Sequence, residues 1–226
     1  KLSSGDGLTK FAVRIWTSDH RWHGREFCSY LNQALFEDAQ AGRTSMRTLQ
    51  MAAILCRALN AVLQRQYQMA EEMHAWPKGP TGGGGHEKSE EENTTFRGGG
   101  MRREHRAFFT PGVKFRTNMY TASSFYRSTA LSFALELRHP MESTQPIIWT
   151  VRLPAEGCLH VNYVSQLCES VTEAEHENEF LFPPYSVFTV EHVEWSDSPT
   201  DVSQVTLRAA SDNKAELDDL PTAPWC

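Results

Sequence analysis

Apolar residues recur at intervals of three and four in the first third of the chain. In Arg25–Gln40 they are Phe27, Tyr30, Leu31, Ala34, Leu35 and Ala39. This is the period of a helix with one buried face. The same pattern continues over Met46–Gln68, where Thr44 or Ser45 can cap the helix. The spacing therefore predicts two helices within a helical part that covers about residues 20–75.

The next segment, residues 76–93, has no periodic apolar positions. It contains two prolines, four consecutive glycines at 82–85 and an acidic run at 87–92, a composition that cannot bury a face. We expect a flexible Gly/Glu-rich insertion. A phosphate-binding glycine loop and an acidic partner-binding segment are the alternatives, although no predicted strand precedes the glycines as a phosphate loop requires.

Short strand-like segments dominate the rest of the chain. They are Thr94–Arg97, Gly112–Phe115, Asn118–Ala122, Ile147–Leu153, Cys158–Val161, Asn178–Phe182, Tyr185–Trp195 and Val202–Ala209. One helix interrupts them, beginning near Ser124 or Ser128 and continuing to Leu137. Helices followed by such strands predict one α+β domain over residues 1–226, with largely antiparallel pairing. Its β-rich core spans 94–209, and the polar tail at 210–226 is expected to be disordered.

Composition limits the classes of partner. The 226 residues include 22 Lys and Arg against 28 Asp and Glu, a formal net charge of −6. Nucleic acid is therefore not expected as a partner, because phosphate binding needs excess positive charge. The most apolar helical run, Met51–Leu63, is interrupted by Arg57 and is shorter than the roughly 20 residues that span a membrane. We expect no membrane span.

Five cysteines are widely spaced along the chain: Cys28, Cys56, Cys158, Cys168 and Cys226. Their spacing matches no zinc-ligand pattern, so no metal is expected. Free thiols in a reducing intracellular compartment are favoured, with a Cys158–Cys168 disulfide and a secreted form as open alternatives. The chain opens without a charged-then-apolar leader, which is typical of a mature form or an excised domain.

Three short blocks carry candidate chemistry: Phe96–Gly99 with the sequence FRGG, Tyr120–Phe125 with YTASSF, and Glu177–Pro184 with ENEFLFPP. Taken singly, each has an ordinary explanation as a surface salt bridge, a helix cap or two solvated carboxylates. In this order and spacing they resemble the Arg, Ser-Thr-Ser and Glu-x-Glu signature of the mono-ADP-ribosyltransferases, which include arginine-modifying bacterial toxins and vertebrate ecto-enzymes. The similarity covers roughly residues 27–195 and extends to Phe109–Phe115 and Thr129–Ala134.

The resemblance implies an ADP-ribosyltransferase fold, in which a two-sheet core follows the helices and holds NAD, the substrate, in a cleft. Glu179 matches the catalytic glutamate, which stabilises positive charge on the ribose as nicotinamide leaves. Glu177 matches the second carboxylate, and glutamate there accompanies transfer to a protein arginine. Arg97 matches the arginine that braces the NAD phosphate and ribose, and Gly98 is expected to allow close approach of the dinucleotide.

Other family positions match less fully. Phe133 is similar in spacing to the toxin phenylalanine that stacks on nicotinamide, with helix core as the alternative. Arg138 is offset by two residues from a second phosphate contact. The first motif serine, which orients the catalytic glutamate in the family, falls on Ala122. This leaves Ser123 and Ser124, and either Ser123 or Tyr120 is a candidate to replace it.

Two alternatives to arginine transfer stay open. One is an NAD glycohydrolase of the same fold, in which water is the acceptor. The other is a catalytically silent binding module that uses the cleft or the Gly/Glu-rich loop to recognise a partner, an alternative that the departure at Ala122 keeps open. Release of nicotinamide separates enzyme from module, and labelling of a protein or of agmatine separates transferase from hydrolase.

Overall fold

The computed structural model describes residues 4–18, 21–22, 24–41, 45–73, 93–136, 144–154, 158, 162–163, 179–198 and 200–224. Of the predicted insertion, only Asn93 is among them. Glu177, Arg138, Cys168 and Cys226 also lie outside the described residues, so the roles that the sequence suggests for them stay predictions.

The helices are α1 Ser4–Trp16, α2 Phe27–Ala41, α3 Met46–Met73 and α4 Arg127–Glu136. Helices α2, α3 and α4 were predicted within a few residues of these bounds. Helix α1 was not predicted, because Gly5 and Gly7 lower helix propensity at its start. It nevertheless forms, since Ala12, Val13 and Trp16 pack into one apolar cluster with α2 and α3. None of the described helices combines the length and the apolarity needed to cross a membrane.

The strands are β1 Arg21–Trp22, β2 Arg25–Glu26, β3 Thr94–Arg102, β4 Lys114–Arg116, β5 Thr121–Ser124, β6 Thr144–Arg152, β7 Asn162–Tyr163, β8 Glu179–Phe182, β9 Val187–Glu194 and β10 Ser203–Ala209. A short 3-10 helix, Arg103–Phe108, follows β3. Strands β1 and β2 form a small hairpin, and the other eight follow the order β4-β9-β10-β6-β3-β5-β8-β7. Only the β10–β6 pair is parallel among the described strands. The α+β class with mainly antiparallel pairing is therefore confirmed.

The eight strands form two groups that meet at one residue pair. Strand β3 pairs with β6 along its whole length but with β5 only at Phe96 and Ser124. The five strands from β4 to β3 thus form one part of a continuous sheet, and β5-β8-β7 form the other. Helix α4 covers β3 and β6 through Ala130 and Ala134, whereas α1 to α3 cover β5 and β8. The junction therefore lies between two helical layers.

Strand β5 begins three residues later than the sequence predicts. The side-chain amide of Asn32 on α2 accepts from Tyr120 N at 2.9 Å and donates to Tyr120 O at 3.0 Å. Because both backbone groups of Tyr120 bond to a helix, they are not available to a strand partner. The ladder between β5 and β8 starts at Thr121 for this reason.

The prediction of a disordered tail is wrong for residues 210–224. Ala223 is only 2% exposed, and Arg116 on β4 pairs with Thr222 in a parallel bridge. The Arg116 guanidinium also donates to carbonyl oxygens of Asn213, Glu216 and Leu217. The tail has few apolar positions, but the Arg116 guanidinium, with its several N–H donors, bonds to three of its backbone carbonyls. The composition of the tail does not indicate this long-range contact.

Candidate active site at the strand junction

A cleft of about 260 Å³ opens where β3 and β5 diverge. Six residues predicted from the motifs line it: Arg97, Gly98, Ser123, Ser124, Phe133 and Glu179. The N-terminal segment provides the facing wall, with Trp16, Thr17, Ser18, Glu26, Cys28, Ser29 and Asn32. The fold thus brings together predicted residues from β3, β5, α4 and β8, and adds a wall that the motif analysis did not identify.

The Glu179 carboxylate is buried at the start of β8. Glu179 lies directly opposite Ser124 on β5 and is 7% exposed. Trp16 Nε1 donates to Glu179 Oε1 over 2.8 Å. A buried charge is costly unless it is hydrogen-bonded, so Trp16 stabilises the ionised carboxylate in this position.

Trp16 itself is held by the helical layer. It is the last residue of α1, 5% exposed, and its ring lies 5.1 Å from the Tyr120 ring, centroid to centroid. The Tyr120 hydroxyl lies 2.8 Å from Asn60 Oδ1 and 3.1 Å from Cys56 O on α3. Burial raises the pKa of Tyr120 well above its usual range, so this hydroxyl remains a neutral donor.

Arg97 lies on the opposite side of the junction from the helical wall. Its Nη1 donates to the Ala122 carbonyl over 2.9 Å, which ties β3 to β5 beside the single backbone pair. Burial lowers the pKa of Arg97, while Cys28 and Glu179 act in the opposite direction. Because an arginine ordinarily titrates above pH 12, the group is a cation at neutral pH, facing the same cleft as the Glu179 carboxylate.

The two motif serines make contacts that stabilise the strands. Ser123 Oγ lies 3.0 Å from Thr95 Oγ1 and 3.1 Å from Phe180 O, so it links β5 to both neighbouring strands. Ser124 Oγ accepts from Tyr126 N at 3.0 Å, at the turn that leads into α4. Neither candidate for the missing serine hydroxyl, Ser123 or Tyr120, directs its hydroxyl to Glu179. Trp16 supplies the donor instead.

Gly98 allows α4 to lie directly on β3. A Cβ at this position would overlap the Ala130 carbonyl oxygen and would lie 2.8 Å from Ala134 N. The glycine is therefore required by helix–strand packing, a reason different from the predicted close approach of a dinucleotide. On the same helix, Phe133 is 39% exposed and lines the cleft, which excludes the alternative that it belongs to the core.

The Cys28 thiol lies in a region of negative electrostatic potential on the helical wall. Its Sγ lies 3.7 Å from Glu26 Oε2. Burial, followed by the charges of Glu26 and Glu179, raises the pKa of the Cys28 thiol to about 11. The thiol is therefore protonated at neutral pH and is a weak nucleophile. Among the residues that the structure describes, no group of three or more His, Cys, Asp or Glu side chains is placed to hold a metal ion.

No protein-family model and no curated protein matches this sequence. Solved structures match in fold. The Vis toxin of Vibrio splendidus, an ADP-ribosyltransferase, superposes with a TM-score of 0.58 at 14% identity, over 95% of this chain and 77% of that one. A complex of Vis with agmatine gives a TM-score of 0.51 at 13% identity, over 97% and 90% of the two chains.

Two other bacterial proteins match similarly. Exoenzyme S of Pseudomonas aeruginosa, solved with human 14-3-3 protein beta and carba-NAD, gives a TM-score of 0.53 at 16% identity, over 94% of this chain and 77% of that one. The C3 exoenzyme of Clostridium limosum gives 0.53 at 15% identity, over 93% and 87%. The predicted ADP-ribosyltransferase fold is therefore confirmed.

Substitution of Gly98 by alanine tests the contact between α4 and β3. We expect Gly98→Ala to lower the free energy of unfolding by about 2 kcal/mol or more, because the added methyl meets backbone atoms that cannot rotate away. Gly7→Ala on α1 is the matched control, since no atom lies within 4 Å of its Cβ position. It should raise stability by up to about 1 kcal/mol. Urea unfolding measures both, and equal effects would contradict the close contact.

The titration of Cys28 tests the electrostatics of the wall. We expect its alkylation by iodoacetamide to have a midpoint near pH 11, and Glu26→Gln to lower that midpoint, because a lost negative charge makes the thiolate easier to form. The rate is measured against pH with Cys28 followed by mass spectrometry. Cys56, whose pKa is raised by burial without a carboxylate contribution, is the internal control. A Cys28 midpoint that does not respond to Glu26→Gln would show that the carboxylate lies elsewhere.

Proposed function

We propose that the protein cleaves NAD and transfers ADP-ribose to an arginine side chain of another protein, with release of nicotinamide. One observation carries the proposal: at the junction of the confirmed fold, a buried and hydrogen-bonded carboxylate, Glu179, lines one cleft with the Arg97 cation. Opposite fixed charges in one cleft suit a reaction in which positive charge develops on the ribose while the anionic diphosphate attached to it stays bound.

Glu179 is the proposed catalytic residue. When the bond between nicotinamide nitrogen and ribose carbon breaks, nicotinamide leaves with the electron pair and positive charge develops on the sugar. A carboxylate already ionised and held in place stabilises that charge without reorganising. It acts mainly in the transition state, since the ribose of bound NAD carries less positive charge than the ribose at bond cleavage.

Arg97 is the proposed phosphate-binding residue. A guanidinium has five N–H donors in a planar fork, and one of them is fixed to the Ala122 carbonyl. That anchor orients the plane, so the fork is presented to a diphosphate in one direction. Arg138 would add a second cation for the same diphosphate.

The other predicted cleft residues bind the rest of the substrate. Phe133 presents an exposed ring at the cleft and would stack on the nicotinamide. Gly98 and Ser124 line the same space and would contact the ribose side of the dinucleotide. The volume of about 260 Å³ is slightly below the range of roughly 300–1,000 Å³ for drug-sized ligands, so the cleft would enclose the reactive half of NAD.

The acceptor assignment rests on negative charge. Burial, followed by the negative charges of Glu26 and Glu179, raises the pKa of the Cys28 thiol. These two carboxylates line the cleft and would attract a cation such as a guanidinium. Glu177 precedes Glu179 by two residues, and such residues project to one side of an extended strand; we assign it the role of aiming the guanidinium and accepting its proton. The Vis toxin, solved with agmatine, binds a ligand of that chemistry on the same fold.

The contact from Trp16 favours an enzyme over a silent binding module. The silent-module alternative rests on the hydroxyl that Ala122 lacks, because the family uses a serine hydroxyl at this position to orient the catalytic glutamate. Trp16 Nε1 provides one. Whether water or arginine is the acceptor then depends on the second carboxylate.

Parallel assays of nicotinamide release and agmatine labelling test the function. We expect Glu179→Gln to lose both activities by at least a hundredfold, because it removes the charge that stabilises the sugar cation. Glu177→Gln should lose agmatine labelling while retaining nicotinamide release, since water needs no carboxylate to position a guanidinium. Glu104→Gln, which alters an exposed carboxylate on the 3-10 helix, is the control and should retain both.

Three other outcomes would each contradict a different part of the proposed function. Absence of nicotinamide release from the unmodified protein would overturn the enzyme proposal. Release without labelling of agmatine or protein would favour the glycohydrolase. Equal loss of both activities in Glu177→Gln would remove the basis for arginine as the acceptor.

A further inference from the structure

We propose that Trp16 is a positioning residue for Glu179, and that helix α1 supplies through it the hydrogen bond that Ala122 cannot make. The inference rests on the proposed function, because positioning matters only if Glu179 acts on substrate. It concerns a residue 163 positions away in sequence and outside all three motifs.

The contact is of a kind that fixes a carboxylate. An indole has a single donor and no acceptor, so Nε1 at 2.8 Å from Oε1 favours the ionised form of Glu179 over the protonated one. A hydrogen bond to one oxygen also restricts rotation of the planar carboxylate. Its second oxygen is then presented in a defined direction.

The donor is itself preorganised. Trp16 is buried against the Tyr120 ring, and Tyr120 is fixed at its backbone by Asn32 and at its hydroxyl by α3. The end of α1 is closed by Thr17, whose amide and hydroxyl both bond to Val13 O, at 2.9 and 3.1 Å. Three helices therefore hold the indole in place, so the hydrogen bond needs little ordering when substrate binds.

The neighbours of Glu179 on strand β5 explain why a helix, and not a strand, provides the hydrogen-bond donor. Ala122 and Ser124 share a face of β5, with Leu181 and Glu179 opposite them on β8. Ala122 is thus a diagonal neighbour of Glu179, a separation that a long side chain can bridge. A methyl group offers no donor there. The indole approaches Glu179 from the helical layer instead.

Trp16→Phe tests the role, because it keeps an aromatic ring against Tyr120 and removes the donor. We expect kcat for nicotinamide release to fall at least tenfold, with KM for NAD changed less than threefold. The acid limb of the kcat/KM profile should move to higher pH, since a carboxylate that loses a donor has a higher pKa. Trp195→Phe is the control: Trp195 packs under Arg106 away from the cleft, and this variant should leave kcat and the acid limb unchanged.

Rescue by a strand hydroxyl tests the equivalence of the two donors. Ala122→Ser should raise kcat more in the Trp16→Phe protein than in the unmodified one, because both groups serve the same carboxylate and their effects are not additive. Equal gains in the two backgrounds would overturn the proposal. So would a Trp16→Phe protein with unchanged kcat and an unmoved acid limb.

A measurement without turnover separates this inference from the proposed function. The indole N–H resonance of Trp16, assigned from triple-resonance NMR spectra of the unmodified protein, should shift with pH as Glu179 titrates and should lose that transition in Glu179→Gln. If the transition is present but no nicotinamide is released, the contact stands and the proposed function fails. If the enzyme is active and the transition persists in Glu179→Gln, Trp16 does not position Glu179.

Discussion

The pair of hydrogen bonds between the Asn32 amide and the Tyr120 backbone fixes the arrangement of the whole site. It satisfies both backbone groups of Tyr120 from helix α2, so β5 begins at Thr121 and Ser124 falls opposite Glu179. A slip of one residue would turn every β5 side chain to the other face. The motif residues thus meet because a helix sets the register of a strand.

Tyr120 connects this register to the charge on Glu179. Its backbone determines where β5 begins, its ring packs against Trp16, and Trp16 in turn holds the Glu179 carboxylate. On the other side of the junction, Arg97 is fixed by the Ala122 carbonyl. The helical layer therefore orients the anion, and the strand junction orients the cation. The cleft between them therefore contains the Glu179 carboxylate, held by Trp16, and the Arg97 guanidinium, held by the Ala122 carbonyl.

The periodic elements could be predicted from sequence because burial of one face imposes a spacing, as in α2, α3 and β9. The grouping of Arg97, Gly98 and Glu179 in one cleft was expected from a family resemblance, since no local spacing relates β3 to β8. Helix α1 was missed because Gly5 and Gly7 lower the helix propensity of its first turn. The helix is stabilised instead by tertiary packing of its apolar face. The bond from Trp16 to Glu179, like the anchoring of the tail by Arg116, joins distant parts of the chain and has no local pattern.

The central claim is that the cleft at the junction binds NAD through Arg97. Calorimetric titration of NAD into Glu179→Gln, which keeps the cleft but should not turn the substrate over, tests it most directly. Loss of a charged hydrogen-bonding partner is worth about 1.5–3 kcal/mol, so adding Arg97→Ala should weaken binding at least tenfold. Equal affinity in the presence and absence of Arg97, or no binding at millimolar NAD, would contradict the account.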